Sequence, residues 1–367
     1  MSAPRQAAVA AGLCPGRRSA RSLPLAARIG GIVCAVALVG CQTTPGPIFP
    51  AISPSIVWPP PPDQPRIRYI GELRGEASLG AKPTGWAAFQ QFLTGPRPQG
   101  VFVRPSAVAT TGERVFVADT GLGVVHFLDL AGRRYATIPG PPTEHFRVPI
   151  DLAIVGQQLL VVDRGRAAVD VFDLEGNWRS THRCPELTAP VAIAWEEARR
   201  LYWLADAATH ACFATADLEH VQQQLGQRGN EPGQFNYPTA LAVHPLIGLI
   251  VADAMNFRIQ VFDEVGRPVA VFGRKGDAAG DFARPRAVAA DSEGHIYVVD
   301  NQFENVQLFD RAGRLLLAFG QGGDRPGEFA LPAGITIDAQ DRIWIADSYN
   351  RRVQVFQYLP EAPTWAE

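Results

Sequence analysis

Proline returns along this chain at a nearly fixed interval. It stands at Pro105, Pro149, Pro190, Pro238, Pro285 and Pro332, with gaps of 44, 41, 48, 47 and 47 residues. Three residues before each lies a large apolar side chain: Phe102, Phe146, Leu187, Phe235, Phe282 and Phe329. An aspartate keeps the same rhythm at Asp119, Asp163, Asp206, Asp253, Asp300 and Asp347. A period of this length means a repeat architecture, in which each unit buries its apolar faces against its neighbours. Six units are present and none is skipped.

Each unit reads as a meander of short strands. After the proline comes SAVAT, IDLAI, VAIAW, TALAV, RAVAA or AGITI, and then a strand ending in the aspartate, such as RVFVAD, QLLVVD or RIWIAD. A third strand follows (VVHFLD, AVDVFD, RIQVFD, NVQLFD, RVQVFQ), degenerate only in the third unit, and then a fourth, as in RPVAVFG and RLLLAFG. Branched and aromatic residues bounded by Gly, Pro and Asp are strand signals. The first strand carries small residues two and four places past the proline: Ala107/Ala109, Ala192/Ala194, Ala240/Ala242, Ala287/Ala289, Gly334/Thr336 and Asp151/Ala153. Six strands converging on one axis leave no room for larger ones. The expectation is an all-β fold, a six-bladed β-propeller of four-stranded antiparallel blades.

The sixth unit ends after its third strand. An unassigned strand, Arg66-Ile67-Arg68-Tyr69-Ile70-Gly71-Glu72-Leu73, stands before the first unit and can complete it. The last blade would then be closed by an N-terminal strand, removing two sheet edges. Residues 83–97, PTGWAAFQQFLTGPR, place Trp86, Phe89 and Leu93 at helical spacing and read as a short amphipathic helix inserted before blade one. The units GQFNYPTALAVHPLIGLIVADAMNFRIQVFD, GDFARPRAVAADSEGHIYVVDNQFENVQLFD and GEFALPAGITIDAQDRIWIADSYNRRVQVFQ resemble NHL repeats. The resemblance covers residues 66–359 and is specific for fold, not for function.

The N-terminus has a different character. Residues 1–41 hold five arginines and no acid, and Ile29–Gly40 is an uncharged apolar run of 12 residues, too short to span a bilayer. Basic, apolar and small-residue zones in that order form an export signal over residues 1–40. Leu38-Val39-Gly40-Cys41 resembles the bacterial lipobox, which implies lipid attachment at Cys41, a membrane partner through that anchor and, with Gln42 in place of Asp, an outer-membrane location. Residues 41–65, rich in proline, read as a spacer, with Ile56, Val57 and Trp58 able to dock on a surface; residues 360–367 read as a tail. The whole chain has 34 Lys+Arg against 36 Asp+Glu; without the five leader arginines the balance is 29 against 36. Nucleic-acid binding needs a basic footprint, so no nucleic-acid partner is expected.

One aspartate per blade is what a structural role predicts, so functional candidates are sought where the repeat breaks. Asp151 replaces a small inner residue, Arg286 follows its proline, Arg164 and Arg166 occupy the turn after Asp163, and Glu304 sits in the equivalent turn of blade five. These loops open on one end of a propeller, so the five residues are candidates for a ligand-binding rim. The seven histidines form no metal-ligand spacing, and no nucleophile elbow or phosphate loop is present, so no metal, cofactor or catalytic residue is assigned. Three histidines from separate blades (His126, His244, His295) could still meet, as in propeller lyases. After the leader and anchor, Cys184 and Cys212 remain, and an exported compartment permits either a disulfide between them or two free thiols. The expectation is a non-enzymatic envelope scaffold binding a protein or glycan; the alternative is a metal-dependent lactonase- or lyase-like enzyme.

Overall fold

The computed structural model describes residues 46–80 and 99–360. The leader, Cys41, the proposed helix at 83–97 and most of the tail lie outside them. Five sheets of four antiparallel strands occupy residues 105–138, 149–182, 190–225, 238–272 and 285–319. Their inner strands adjoin one another in order, and that of blade six returns to that of blade one, so the sheets form a closed six-bladed propeller. Helix among the described residues is confined to two short 3-10 turns, Glu76–Leu79 and Ala254–Asn256.

Blade six assembles from both ends of the domain. Pro332–Ile337, Arg342–Asp347 and Arg352–Tyr358 supply three strands, and Ile67–Leu73 pairs antiparallel with the last of them, Tyr69 opposite Phe356. A fifth strand, Val57–Trp58, then pairs with Ile67–Leu73. The proline-rich segment is therefore not a free spacer down to residue 65. Trp58 lies 5.8 Å from the rings of both Phe319 and Phe356, and Phe49 meets Trp344 edge-on at 6.1 Å. Ile52, Ile56 and Trp58 pack on the core shared by blades four to six. Apolar side chains beside exposed ring faces win over the extended preference of the prolines, because burying them removes area from water.

Three repeated devices build the ring. The aspartate ending each second strand is fully buried and accepts backbone N–H groups from the loop before its own blade's proline: Asp119 from Val103 and Arg104 at 2.6 and 3.0 Å, Asp206 from Thr188 and Ala189 at 2.6 Å. A buried carboxylate that gathers this many donors is a structural clasp. In blades four to six a glutamine on the third strand does the same for the preceding interblade loop. Gln260, Gln307 and Gln354 accept the N–H of Gly233, Gly280 and Gly327 and donate to the carbonyls of Gln234, Asp281 and Glu328. The glycine-rich runs are thus interblade turns. Gly273 and Gly320 hold φ of 88° and 80°, and a Cβ there would overlap the rings of Phe282 and Phe329. These phenylalanines, fully buried between blades, are the apolar residues three places before the prolines.

The third device is a bulge. In all six blades the proline pairs with the aspartate, and the next paired residue is two positions on, opposite the alanine preceding the aspartate, or Val162 and Val299 in blades two and five. Proline, lacking an N–H, fits this end position. The extra residue is Ser106, Ile150, Val191, Thr239, Arg286 or Ala333. Bulges re-aim side chains. Ser106 and Thr239 use theirs to reach the next blade, donating to the carbonyls of Pro149 and Pro285.

The two cysteines are free and buried. Cys184 packs in the core between blades two and three, and Cys212 in the core between blades three and four. They lie on opposite faces of the blade-three sheet, which corrects the disulfide alternative. Burial pushes the Cys184 thiol up to about 11 and the Cys212 thiol higher still, so neither is a ready nucleophile.

Candidate functional site: the channel mouth of blades two, four and five

The inner strands enclose a central channel of about 340 Å³, lined by Ala107, Ala109, Asp151, Ala192, Ala240, Arg286 and Gly334 among others. Two charged side chains stand in that wall, and both were singled out by their break with the repeat. Asp151 accepts the N–H of Ile193, in blade three, at 2.8 Å. Burial pushes its carboxyl up to about 7, against the pull of that hydrogen bond and of Arg286. Desolvation disfavours the ionised form more than these partners favour it.

Arg286 is the bulged residue of blade five. Burial and the neighbouring Arg284 guanidinium hold its pKa below the usual arginine value; Asp151 attracts it, and Arg164 adds further repulsion. Its side chain makes no hydrogen bond and no ion pair within 4 Å to any described residue. The task that falls to the bulged side chain in blades one and four is done here by Asn301, whose amide donates to the Pro332 carbonyl at 2.9 Å.

Arg164 is exposed in its turn and donates to the Tyr237 hydroxyl at 3.0 Å. The contact spans from blade two to blade four, across the small Ala207 and Ala208 of the blade-three turn. Tyr237, at φ 64°, is fixed by its own N–H, which donates to Nδ1 of His210, and its ring stays 37% exposed. Further round the rim Arg104 stacks at 5.9 Å over Tyr349, which is 62% exposed. The mouth therefore presents Arg104, Arg164, Arg284 and Arg286 with two tyrosine rings around a single inward carboxyl.

The structure brings Asp151, Arg164 and Arg286 together and separates the other two candidates from them. The Arg166 side chain is 2% exposed and pairs with Asp170 at 2.6 Å, Glu144 at 3.1 Å and Asp163 at 3.6 Å. It is a blade-two strut, because Asp170 holds the place taken by the loop-clasping glutamine in other blades. Glu304, at φ 55°, accepts the Leu331 N–H at 3.1 Å and ties blade five to blade six. Sequence reading missed Tyr237, Arg284 and Arg104. Their signal is the residue before the proline, which is Arg, Val, Ala, Tyr, Arg and Leu in successive blades.

The three histidines do not meet. His126 is buried between Tyr135 and Asp119, His295 pairs with Asp291 at 2.9 Å in a turn at the far end of the blade, and His244 ends an inner strand. Among the described residues no three His, Cys, Asp or Glu side chains gather as a metal site.

A closed ring of repeated blades with a polar channel mouth defines a propeller of the repeat class. Residues 329–356 match the NHL repeat family, so the chain carries an NHL repeat within a six-bladed propeller. No curated protein matches it in sequence. Among solved structures, it is similar to a streptogramin B lyase (12% identity, 70% of this chain and 94% of that one, TM-score 0.52). It is similar to virginiamycin B lyase from Staphylococcus aureus (13%, 70% and 96%, TM-score 0.51). It is also similar to an auxiliary nutrient binding protein from Bacteroides thetaiotaomicron (11%, 70% and 69%, TM-score 0.55). At these identities the likeness is one of fold.

Proposed function

We propose that this protein is a lipid-anchored scaffold of the bacterial cell envelope that binds an envelope protein or glycan through the channel mouth, from the outer membrane. The observation that carries the binding role is the mouth itself. Its three gathered candidates break a repeat that is otherwise kept for structural reasons, and the guanidiniums of Arg164 and Arg286 are not used up by the clasps that hold the ring. A rigid ring presenting variable loops suits recognition. The anchor rests on Leu38-Val39-Gly40-Cys41 and the export signal before it; a residue carrying several acyl chains gives stable attachment where one chain is marginal. The lyase likeness is of fold and brings no chemistry to this chain. The anchor is tested by Cys41→Ser: the variant is expected to leave the detergent phase on phase partitioning and to lose the lipidated mature mass. Partitioning equal to the wild type would overturn it.

A further inference from the structure

We propose that the channel mouth is a receptor for a small anionic group, a carboxylate or phosphate borne on a small molecule or on the end of an extended chain, gripped by Arg286 and Arg164. The inference rests on the reading of this mouth as the ligand site and names what enters it.

Charge is the first argument. Arg286 stands in a channel wall whose other side chains, Asp151 apart, carry no charge. Of the titratable groups that act on it, Arg284 and Arg164 repel, and Asp151 and, more weakly, Tyr237 attract. Asp151 is a weak counter-charge, because burial biases its carboxyl toward the neutral form. A half-buried guanidinium with no hydrogen-bonding partner among the described side chains is open to an entering anion, which would supply that partner.

Geometry is the second. Two buried arginines of the ring, Arg352 and Arg258, are ringed by partners. Arg352 holds Asp347 and Glu72 and donates to three loop carbonyls; Arg258 holds Asp253 and donates to three others. Arg286 has no such set, and its bulge carries it out of the ladder. Its planar fork suits two oxygens of one carboxylate or phosphate. Arg164, held by Tyr237 across the mouth, places a second guanidinium on the approach, and the exposed Tyr237 ring offers an apolar face to whatever carries the anion. A channel of about 340 Å³ admits a small molecule or a chain end and excludes a folded domain.

The test is calorimetric titration of the full mature chain with galacturonate, glucose 6-phosphate and glucose. At least one anion is expected to bind about tenfold or more tightly than glucose, and to weaken as salt rises. The tighter of the two anions identifies the source as carboxylate or phosphate. Arg286→Ala should weaken that binding by about 10- to 100-fold, the range of a charged hydrogen-bonding group. Arg286→Lys, which keeps the charge and loses the fork, should fall between. Should Arg286→Ala melt early, exposed Arg164→Ala gives the same reading with a smaller loss. Glucose binding as well as the anions, no anion binding at about 10 mM, or unchanged affinity in both alanine variants overturns the proposal. Cross-linking in intact membranes is scored separately. A partner captured by wild type and Arg286→Ala alike, with no anion bound, overturns the anion inference and leaves the scaffold standing. Capture by neither overturns the scaffold.

Discussion

At Asp151 two demands meet in one side chain: its carboxylate oxygen ties blade two to the Ile193 N–H of blade three, yet partial burial in the channel wall disfavours its charged form. Its carboxyl pKa is raised from the usual 3.8 to about 7 in the folded protein. The folded state thus holds a proton more tightly than the unfolded chain does. The stabilisation from that proton is full below about pH 4 and is lost as pH rises through about 7. Asp151→Asn keeps an oxygen for Ile193 and removes the ionisation. Its melting temperature should exceed the wild type by a few degrees at pH 8, about the effect of 1–2 kcal/mol in a domain this size, with the gap closing toward pH 4. A constant difference across that range would contradict the assignment. Phe282 poses a simpler case, a fully buried ring filling the space that Gly273 leaves. Phe282→Ala should cost about 3–5 kcal/mol, read by denaturant unfolding.

The strand Ile67–Leu73 decides whether the ring closes. It pairs along six residue partners with Arg352–Tyr358, and its Glu72 also joins Arg352 at 2.9 Å. Deleting 66–73 exposes a strand edge in blade six and uncovers Phe356, so a loss of the cooperative thermal transition or a large fall in melting temperature is expected. The segment before it matters less. Trp58 is half-buried, so Trp58→Ala should cost about 1–3 kcal/mol. Equal melting of the two variants would show that closure contributes nothing beyond surface packing. The sequence supplied this strand as the missing partner of the sixth unit, since a four-strand count left one blade short. The fifth strand, Val57–Trp58, was hidden behind its prolines. What recruits it is a patch on Phe319 and Phe356, residues some 260 and 300 positions away along the chain.

Six blades on one axis put residues from distant parts of the chain around a single opening. Arg164 and Tyr237 lie 73 residues apart and share a hydrogen bond there. Closure also fixes what the ring can present, since each blade contributes its proline loop and its post-aspartate turn to the same end. The opposite end carries a different pattern. Glu196, Asp291 and Asp338 accept from Trp203, Tyr297 and Trp344 at 2.8, 3.0 and 2.9 Å, and these carboxylates fasten turns.

The blade count, the ring closure and the structural role of the repeated aspartates were written in the spacing of proline, aspartate and small residues, because a repeat that stacks on itself must satisfy the same local contacts in every unit. The breaks at Asp151, Arg164 and Arg286 were legible for the same reason. Their meaning was not. Arg166 breaks the pattern as visibly as Arg164, yet it is buried against Asp170 and Glu144, while its neighbour reaches over the blade-three turn to Tyr237. Glu304 likewise serves a backbone N–H of the next blade. Which irregular side chain compensates for another and which faces the channel depends on blade-to-blade distances. Only closing the ring sets those.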